Sequence, residues 1–343
     1  MPHIFSISVC VIFASLGSVF GQGTTLAGSG YATPQIRLAP GEIITLFVSN
    51  TKGFGASQNA TTIPLPKTLA GFSVSIRQSR ADGGTFPAAL LSVQPLLLCN
   101  APDTGPNCQM TALTVQVPFE MVIGGDITGI TDLIVNDNGT ESVLALVAAD
   151  EDHIHVLTTC ETQASNSDRS SSVFPPCSGL VAHADGSLVS SKSPAQAGEV
   201  VVIYAFGLGP TSPTAKTGAV TPTPAPVLAY ETLTLQFDFR PNAVPSRPYI
   251  DPLSAAPTAI FAGLTPGQVG LYQVNVRIPQ SLPQIPACNS SSGGPFGYVW
   301  SNLTIEIGGV NSFDGAAICV QPSPQAQPAV NLARASHRSR DGG

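Results

Sequence analysis

Residues 39–48 read Ala39-Pro40-Gly41-Glu42-Ile43-Ile44-Thr45-Leu46-Phe47-Val48, and residues 196–205 read Gln196-Ala197-Gly198-Glu199-Val200-Val201-Val202-Ile203-Tyr204-Ala205. Each is a Gly-Glu turn running into β-branched, aliphatic and aromatic residues, the make-up of a buried strand. Three further blocks follow in the same order in each half. Phe72, Val74 and Ile76 alternate with Ser73, Ser75 and Arg77, and Leu235, Phe237 and Phe239 alternate with Gln236, Asp238 and Arg240. A period of two means one face buried and one wet. Leu113-Thr114-Val115-Gln116-Val117-Pro118 matches Val274-Asn275-Val276-Arg277-Ile278-Pro279, and Leu133-Ile134-Val135 matches Leu303-Thr304-Ile305. The four blocks are offset by 157, 163, 161 and 170 residues. Colinear blocks at a nearly constant offset are the mark of a duplicated domain.

The first copy carries ten more residues between Pro95 and Pro118 than the second does between Pro266 and Pro279, and they hold Cys99 and Cys108. This reads as a small disulfide loop grafted onto a strand connection. Turn signals separate the apolar runs at Asp82-Gly83-Gly84, Asp185-Gly186 and Gly308-Gly309, and Asn138-Gly139 reads as a tight hairpin. Many short strands and hardly any helical period predict an all-β chain of two tandem immunoglobulin-like β-sandwich domains. The expected layout is a signal peptide over 1–21, a first, divergent domain over 22–160, a linker with a disulfide over 161–177, a second domain over 178–320 and a disordered tail over 321–343.

Bulk properties narrow the function. The chain has 343 residues, only 10% of them charged, with 33 Gly, 31 Pro and a net charge of −7. Nucleic-acid binders carry a basic face, and the only basic cluster here is Arg334, His337, Arg338 and Arg340 in the tail. Ile4 to Phe20 is apolar and uncharged, and Val19 and Gly21 suit the −3 and −1 positions of a signal peptidase site. Met1-Pro2-His3 supplies no Lys or Arg for an n-region, so the signal is atypical or starts upstream. No later run is long and apolar enough for a membrane helix, so no transmembrane segment is expected in the mature chain. Loss of Cys10 with the signal leaves Cys99, Cys108, Cys160, Cys177, Cys288 and Cys319, an even set whose order favours the local pairs 99–108, 160–177 and 288–319. Zinc spacings are absent, and an oxidising, extracytoplasmic compartment follows.

The second copy carries Ala197-Gly198-Glu199-Val200-Val201-Val202-Ile203-Tyr204, Gly207-Leu208-Gly209-Pro210, Phe261-Ala262-Gly263-Leu264-Thr265-Pro266-Gly267 and Val269-Gly270-Leu271-Tyr272-Gln273-Val274-Asn275-Val276, ending at Ile278-Pro279. These motifs resemble the acidobacterial "Solibacter uncharacterised C-terminal domain" family, and residues 30–320 are covered if the first half is its weaker upstream copy. The resemblance implies an immunoglobulin-like sandwich in secreted or envelope proteins. It implies no activity, catalytic residue or cofactor.

The residues themselves offer few centres for chemistry. No G-x-S-x-G occurs, and His183, beside Asp185-Gly186, reads as part of a turn. In Asp150-Glu151-Asp152-His153-Ile154-His155, a strand would place His153 and His155 on one face with carboxylates at hand for a metal-dependent enzyme; the alternative is an exposed loop entering the strand 154–157. Trp300 and Tyr298, with Phe296, form the one candidate aromatic platform for a ligand. Packing of Trp300 into the core is the competing reading, and exposure decides between them. Three functions follow. The leading one is a non-catalytic adhesion, spacer or assembly module of the envelope or exterior, with polysaccharide or protein as partner. The second is a carbohydrate- or protein-binding module using Trp300. The third is a metal enzyme at His153 and His155.

Overall fold

The computed structural model of the chain describes residues 24–27, 36–49, 51, 56–79, 83–97, 109–123, 131–144, 147–159, 177–229, 233–244, 258–291 and 297–322. Every element bounded within them is a β-strand. No helix among them is long and apolar enough to cross a membrane. The expected signal peptide lies outside the described residues, as do Cys99, Cys108, Cys160, most of the linker and nearly all of the tail.

The strands of the first half are β1 (Thr24–Ala27), β2 (Arg37–Leu38), β3 (Ile43–Ser49), β4 (Gln58–Asn59), β5 (Phe72–Gln78), β6 (Thr85–Pro87), β7 (Ala89–Leu97), β8 (Gln109–Gln116), β9 (Thr131–Asp137), β10 (Thr140–Leu144) and β11 (Ala148–Ala149). The second half adds β12 (His155–Val156), β13 (Val181–Ala182), β14 (Val200–Phe206), β15 (Thr211–Ser212), β16 (Val227–Leu228), β17 (Thr234–Asp238), β18 (Phe261–Leu264), β19 (Tyr272–Arg277), β20 (Leu303–Gly308) and β21 (Phe313–Ile318). The chain forms two compact units that interleave in sequence. Unit 1 is Met1–Arg37, Ile43–Ala149 and Thr217–Ala219; unit 2 is Leu38–Glu42, Asp150–Lys216 and Val220–Gly343.

Unit 1 has a sheet in the order β1-β3-β8-β7-β4 and a second in the order β10-β9-β5-β6. The pairings are antiparallel, with Leu46 opposite Leu113 and Val74 opposite Val135. Alternation places Ile44, Leu46, Phe72, Val74, Ile76, Leu113, Val115, Leu133 and Val135 in the core. Each such side chain contributes about 1.5–3 kcal/mol relative to exposure. β5 begins at Phe72, because Ala70 and Gly71 take φ values of 51° and 82° and turn the chain. Asn138-Gly139 closes the β9–β10 hairpin as expected, with φ values of 48° and 87°. Both central residues in the left-handed region define the two-residue turn that matches strand twist. The segment Thr217–Ala219 completes the unit: Gly218 N donates to Gln116 Oε1 at 2.6 Å, Leu65 N to Gly218 O at 2.8 Å and Phe119 N to Thr217 Oγ1 at 2.9 Å.

Unit 2 repeats this plan. Its larger sheet runs β12-β14-β19-β18-β16-β15, with β13 also on β14, and its smaller one β17-β20-β21. Ile203 faces Val274 and Phe237 faces Ile305, the counterparts of Leu46–Leu113 and Val74–Val135. The four sequence blocks are thus the same four strands in each unit, paired in the same register. In each unit, two antiparallel sheets with buried apolar faces are consistent with a β-sandwich. Tyr272, Val274 and Val276 are fully buried, as their alternation predicts.

Gly207-Leu208-Gly209-Pro210 leaves β14 with φ values of 70° and 96° at its two glycines. His153 N donates to Gly207 O at 2.8 Å. A Cβ on Gly207 would lie 2.0 Å from His153 O, and one on Gly209 2.1 Å from Glu151 O. Backbone therefore passes where any side chain would stand. Gly207→Ala is expected to destabilise the protein by roughly 2–4 kcal/mol in chemical denaturation. Gly139→Ala, whose added Cβ meets nothing within 4 Å, should cost only about 1 kcal/mol. Equal costs would contradict the close approach.

Candidate functional site

The Gly-Glu turns share one construction. Gly41 and Gly198 have φ values of 76° and 77°, and Glu42 N and Glu199 N donate to Ala39 O and Gln196 O, both at 3.1 Å. Positive φ at the third residue is what glycine supplies in such a turn. Each carboxylate folds back on its own turn: Ala39 N donates to Glu42 Oε2 at 3.0 Å and Gln196 N to Glu199 Oε2 at 2.7 Å. The other oxygen holds a histidine. Glu42 Oε1 lies 2.8 Å from His153 Nδ1, and Glu199 Oε1 lies 2.5 Å from His183 Nδ1.

These contacts place the residues of the acidic-histidine run. The strand begins at His155, not at Ile154, and His153 precedes it. His153 turns to Glu42 while His155 Nδ1 lies 3.4 Å from Asp314 Oδ2. The expectation that both histidines line one strand face therefore does not hold: residues 151–154 are held by loop hydrogen bonds rather than by a ladder. Asp152 accepts from Val310 N at 2.7 Å, Ser312 N at 2.9 Å and Ser312 Oγ at 2.8 Å, capping the turn before β21. No group of three or more His, Cys, Asp or Glu able to hold a metal ion occurs among the described residues.

Burial pushes the Glu42 carboxyl above the ordinary carboxylate range, against the opposing pull of His153 and the Ala39 amide. Burial alone would lower His183, but its bond to Glu199, the Ser193 carbonyl and the charges of Glu199 and Asp185 outweigh it and raise the imidazole pKa. A histidine raised on folding adds stability that is complete below its unfolded value and lost as pH rises through its folded one. Thermal melts should therefore show the widest gap between the native chain and Glu199→Gln near about pH 6, narrowing as pH rises. A gap that widens with pH would refute the pairing.

The aromatic candidates lie in unit 2. Residues 289–291 and 298–299 form a short return: Asn289 N donates to Val299 O at 2.9 Å, and Val299 N to Ser290 O at 3.0 Å. Alternation turns Val299 wholly inward and leaves Tyr298 40% and Trp300 37% exposed. Trp300 is thus at the surface. The two ring centroids are 4.4 Å apart with planes inclined by 56°. Phe296 lies outside the described residues.

Several contacts hold this ledge. Tyr298 OH donates to Asn289 Oδ1 at 2.7 Å. Asn242 Nδ2 donates to Tyr298 O at 2.7 Å, and Asn242 Oδ1 accepts from Trp300 N at 2.7 Å and Ser301 N at 3.2 Å. Asn242 N adds a bond to Ser301 O at 2.9 Å. A φ of 53°, which asparagine tolerates, aims its side chain at the ledge. Sequence reading missed Asn242; its only local signal is the Pro241-Asn242 turn. The expected Cys288–Cys319 disulfide forms, with Cα atoms 6.0 Å apart, and Cys288 immediately precedes Asn289. Cys177 is also disulfide-bonded. The ledge thus stands on a disulfide, an asparagine staple and a buried valine, and it offers apolar ring area to solvent.

Compared with known proteins, the chain matches no family model and no curated protein.

The Cys288–Cys319 bridge closes a separation of 31 residues. Replacing both cysteines by serine is expected to cost about 3–4 kcal/mol and to broaden and red-shift Trp300 emission in the folded state. Unchanged emission would mean that Asn242 alone positions the ring.

Proposed function

We propose that this chain is an exported or cell-envelope adhesion module of two immunoglobulin-like β-sandwiches, related to the acidobacterial Solibacter C-terminal domain family, and that it grips its partner at the Tyr298–Trp300 ledge. The exposure of two adjoining aromatic rings on a stapled support carries this reading. Large rings left in water cost hydrophobic free energy, and rings held rigid bind with little loss of rotamer entropy. Support for the compartment comes from the apolar N-terminus and the disulfides. Support for the fold comes from two matching sheet pairs with buried faces. Support for the family comes from the motifs of residues 197–279. The reading assigns no catalytic residue and no cofactor, and its partner is an envelope or extracellular polysaccharide or protein.

The test is retention of the mature chain on cell envelopes and polysaccharides, beside Trp300→Ala. The expected result is retention that falls by about tenfold in the variant, the loss of one buried aromatic contact. Equal retention of both proteins would move binding elsewhere, and no retention at all would favour a spacer or assembly role.

A further inference from the structure

The rings, their polar neighbours and the charges around them also bear on what the ledge binds. We propose that its ligand is a neutral, conformationally free glycan chain, one pyranose ring of which stacks on Trp300. The inference rests on the adhesion reading above and narrows it.

Ring geometry is the first argument. With centroids 4.4 Å apart and planes inclined by 56°, Tyr298 and Trp300 cannot form one flat platform. The ordered face of a crystalline polysaccharide is flat and needs coplanar rings along it. An inclined pair instead makes a shallow corner, with both rings partly open to solvent. A single sugar ring fits such a corner, its apolar C–H face against the indole and its hydroxyls at the rim. A proline-rich peptide also packs on aromatic rings, but it needs a groove spanning several residues. Two rings this close give room for one unit.

Hydrogen-bonding capacity is the second argument. Tyr298 OH is committed to Asn289 Oδ1, which leaves Asn289 Nδ2 as a donor beside the ring. The hydrogen bonds of Trp300 among the described residues run through its backbone, which leaves the indole N–H as a second donor. Two donors next to an apolar face call for acceptors around a flat apolar body. Sugar hydroxyls, a ring oxygen or an acetamido carbonyl supply them. Asn242 is spent on backbone, so it orients the rings and leaves recognition to the other two.

Charge is the third. The supporting turn carries Asp238 and Arg240, which bind each other, with Arg240 Nε 3.0 Å from Asp238 Oδ1 and 2.9 Å from Oδ2. The support thus carries a neutralised pair, and the side chains of the ledge itself are uncharged. A polyanionic or polycationic ligand would find no complement here.

Trp300 is the only tryptophan of the chain, so its emission reports occupancy of this site directly. The full mature chain is titrated with soluble neutral glucan, mannan and chito-oligosaccharides at low and high salt. Trp300→Ala and Trp300→Phe are followed by calorimetry, and sedimentation with crystalline cellulose and chitin runs in parallel. The expected result is a saturable emission change with at least one soluble glycan. Affinity should fall at least about tenfold in Trp300→Ala and less in Trp300→Phe, which keeps a face and loses the N–H. It should change less than about twofold with salt, since screening acts on charge. Three outcomes overturn the proposal while leaving the ledge intact. These are Trp300-dependent binding to crystalline polysaccharide alone, Trp300-dependent envelope retention abolished by protease, and Trp300-dependent binding that collapses with salt. Envelope retention equal in Trp300→Ala overturns the ledge as well.

Discussion

Unit 2 is organised around a carboxylate that water cannot reach. Glu42 is fully buried, and an ionised carboxylate loses several kcal/mol of hydration unless the protein replaces it. The Ala39 amide takes one oxygen and His153 the other. Each replacement imposes a further demand. His153 can reach Glu42 only if its own backbone runs against Gly207, where no Cβ fits. The buried phenol of Tyr272 lies 3.1 Å from Pro40 O and also bonds Gly209 O. Burial, then the Glu42 charge, pushes its pKa far above the ordinary phenol range, so the proton needed for those bonds is always present. A glutamate, a histidine, two glycines and a tyrosine spread over 231 positions, Glu42 to Tyr272, therefore form one interdependent set.

The other copy solves the same problem differently. Glu199 sits in the same turn, but its histidine is His183, which lies before its strand, whereas His153 comes well after the strand that Glu42 precedes. The two partners occupy unrelated places in the repeat. What the two units share is the turn and its inward-folded carboxylate; the histidine comes from a different segment in each. The carboxylates differ in exposure, 20% for Glu199 against 1% for Glu42, while their histidines are alike at 13% for His183 and 17% for His153.

Local order in the chain was enough to read the repeat, the alternating strands and the Asn138-Gly139 hairpin, because those depend on residues within one or two turns of each other. Phe72, Val74 and Ile76 declare an inward face by spacing alone. The partners of His153 and His155, 111 and 159 positions away, declare nothing locally. Reading them as a joint pair required a strand at His153, and Gly207 and Asp152 hold that residue in a loop instead. Trp300 was legible as a candidate, but whether it faced water depended on Val299 beside it and on Asn242, 58 positions upstream. Sequence patterns carry the sheets well and the polar contacts between distant turns poorly.

The segment Thr217–Ala219 has a consequence for how the molecule is made. Gln116 receives its Gly218 partner from 102 positions downstream. A chain that emerges from the ribosome or a translocon N-terminus first must deliver about a hundred further residues before its first unit can close. During that interval unit 1 lacks part of its own wall, and a chain cut short before Thr217 never acquires it. Completion of the earlier-made half thus reports that the chain has been made as far as Ala219, and a protease patrolling unfinished chains would tell shorter chains from longer ones.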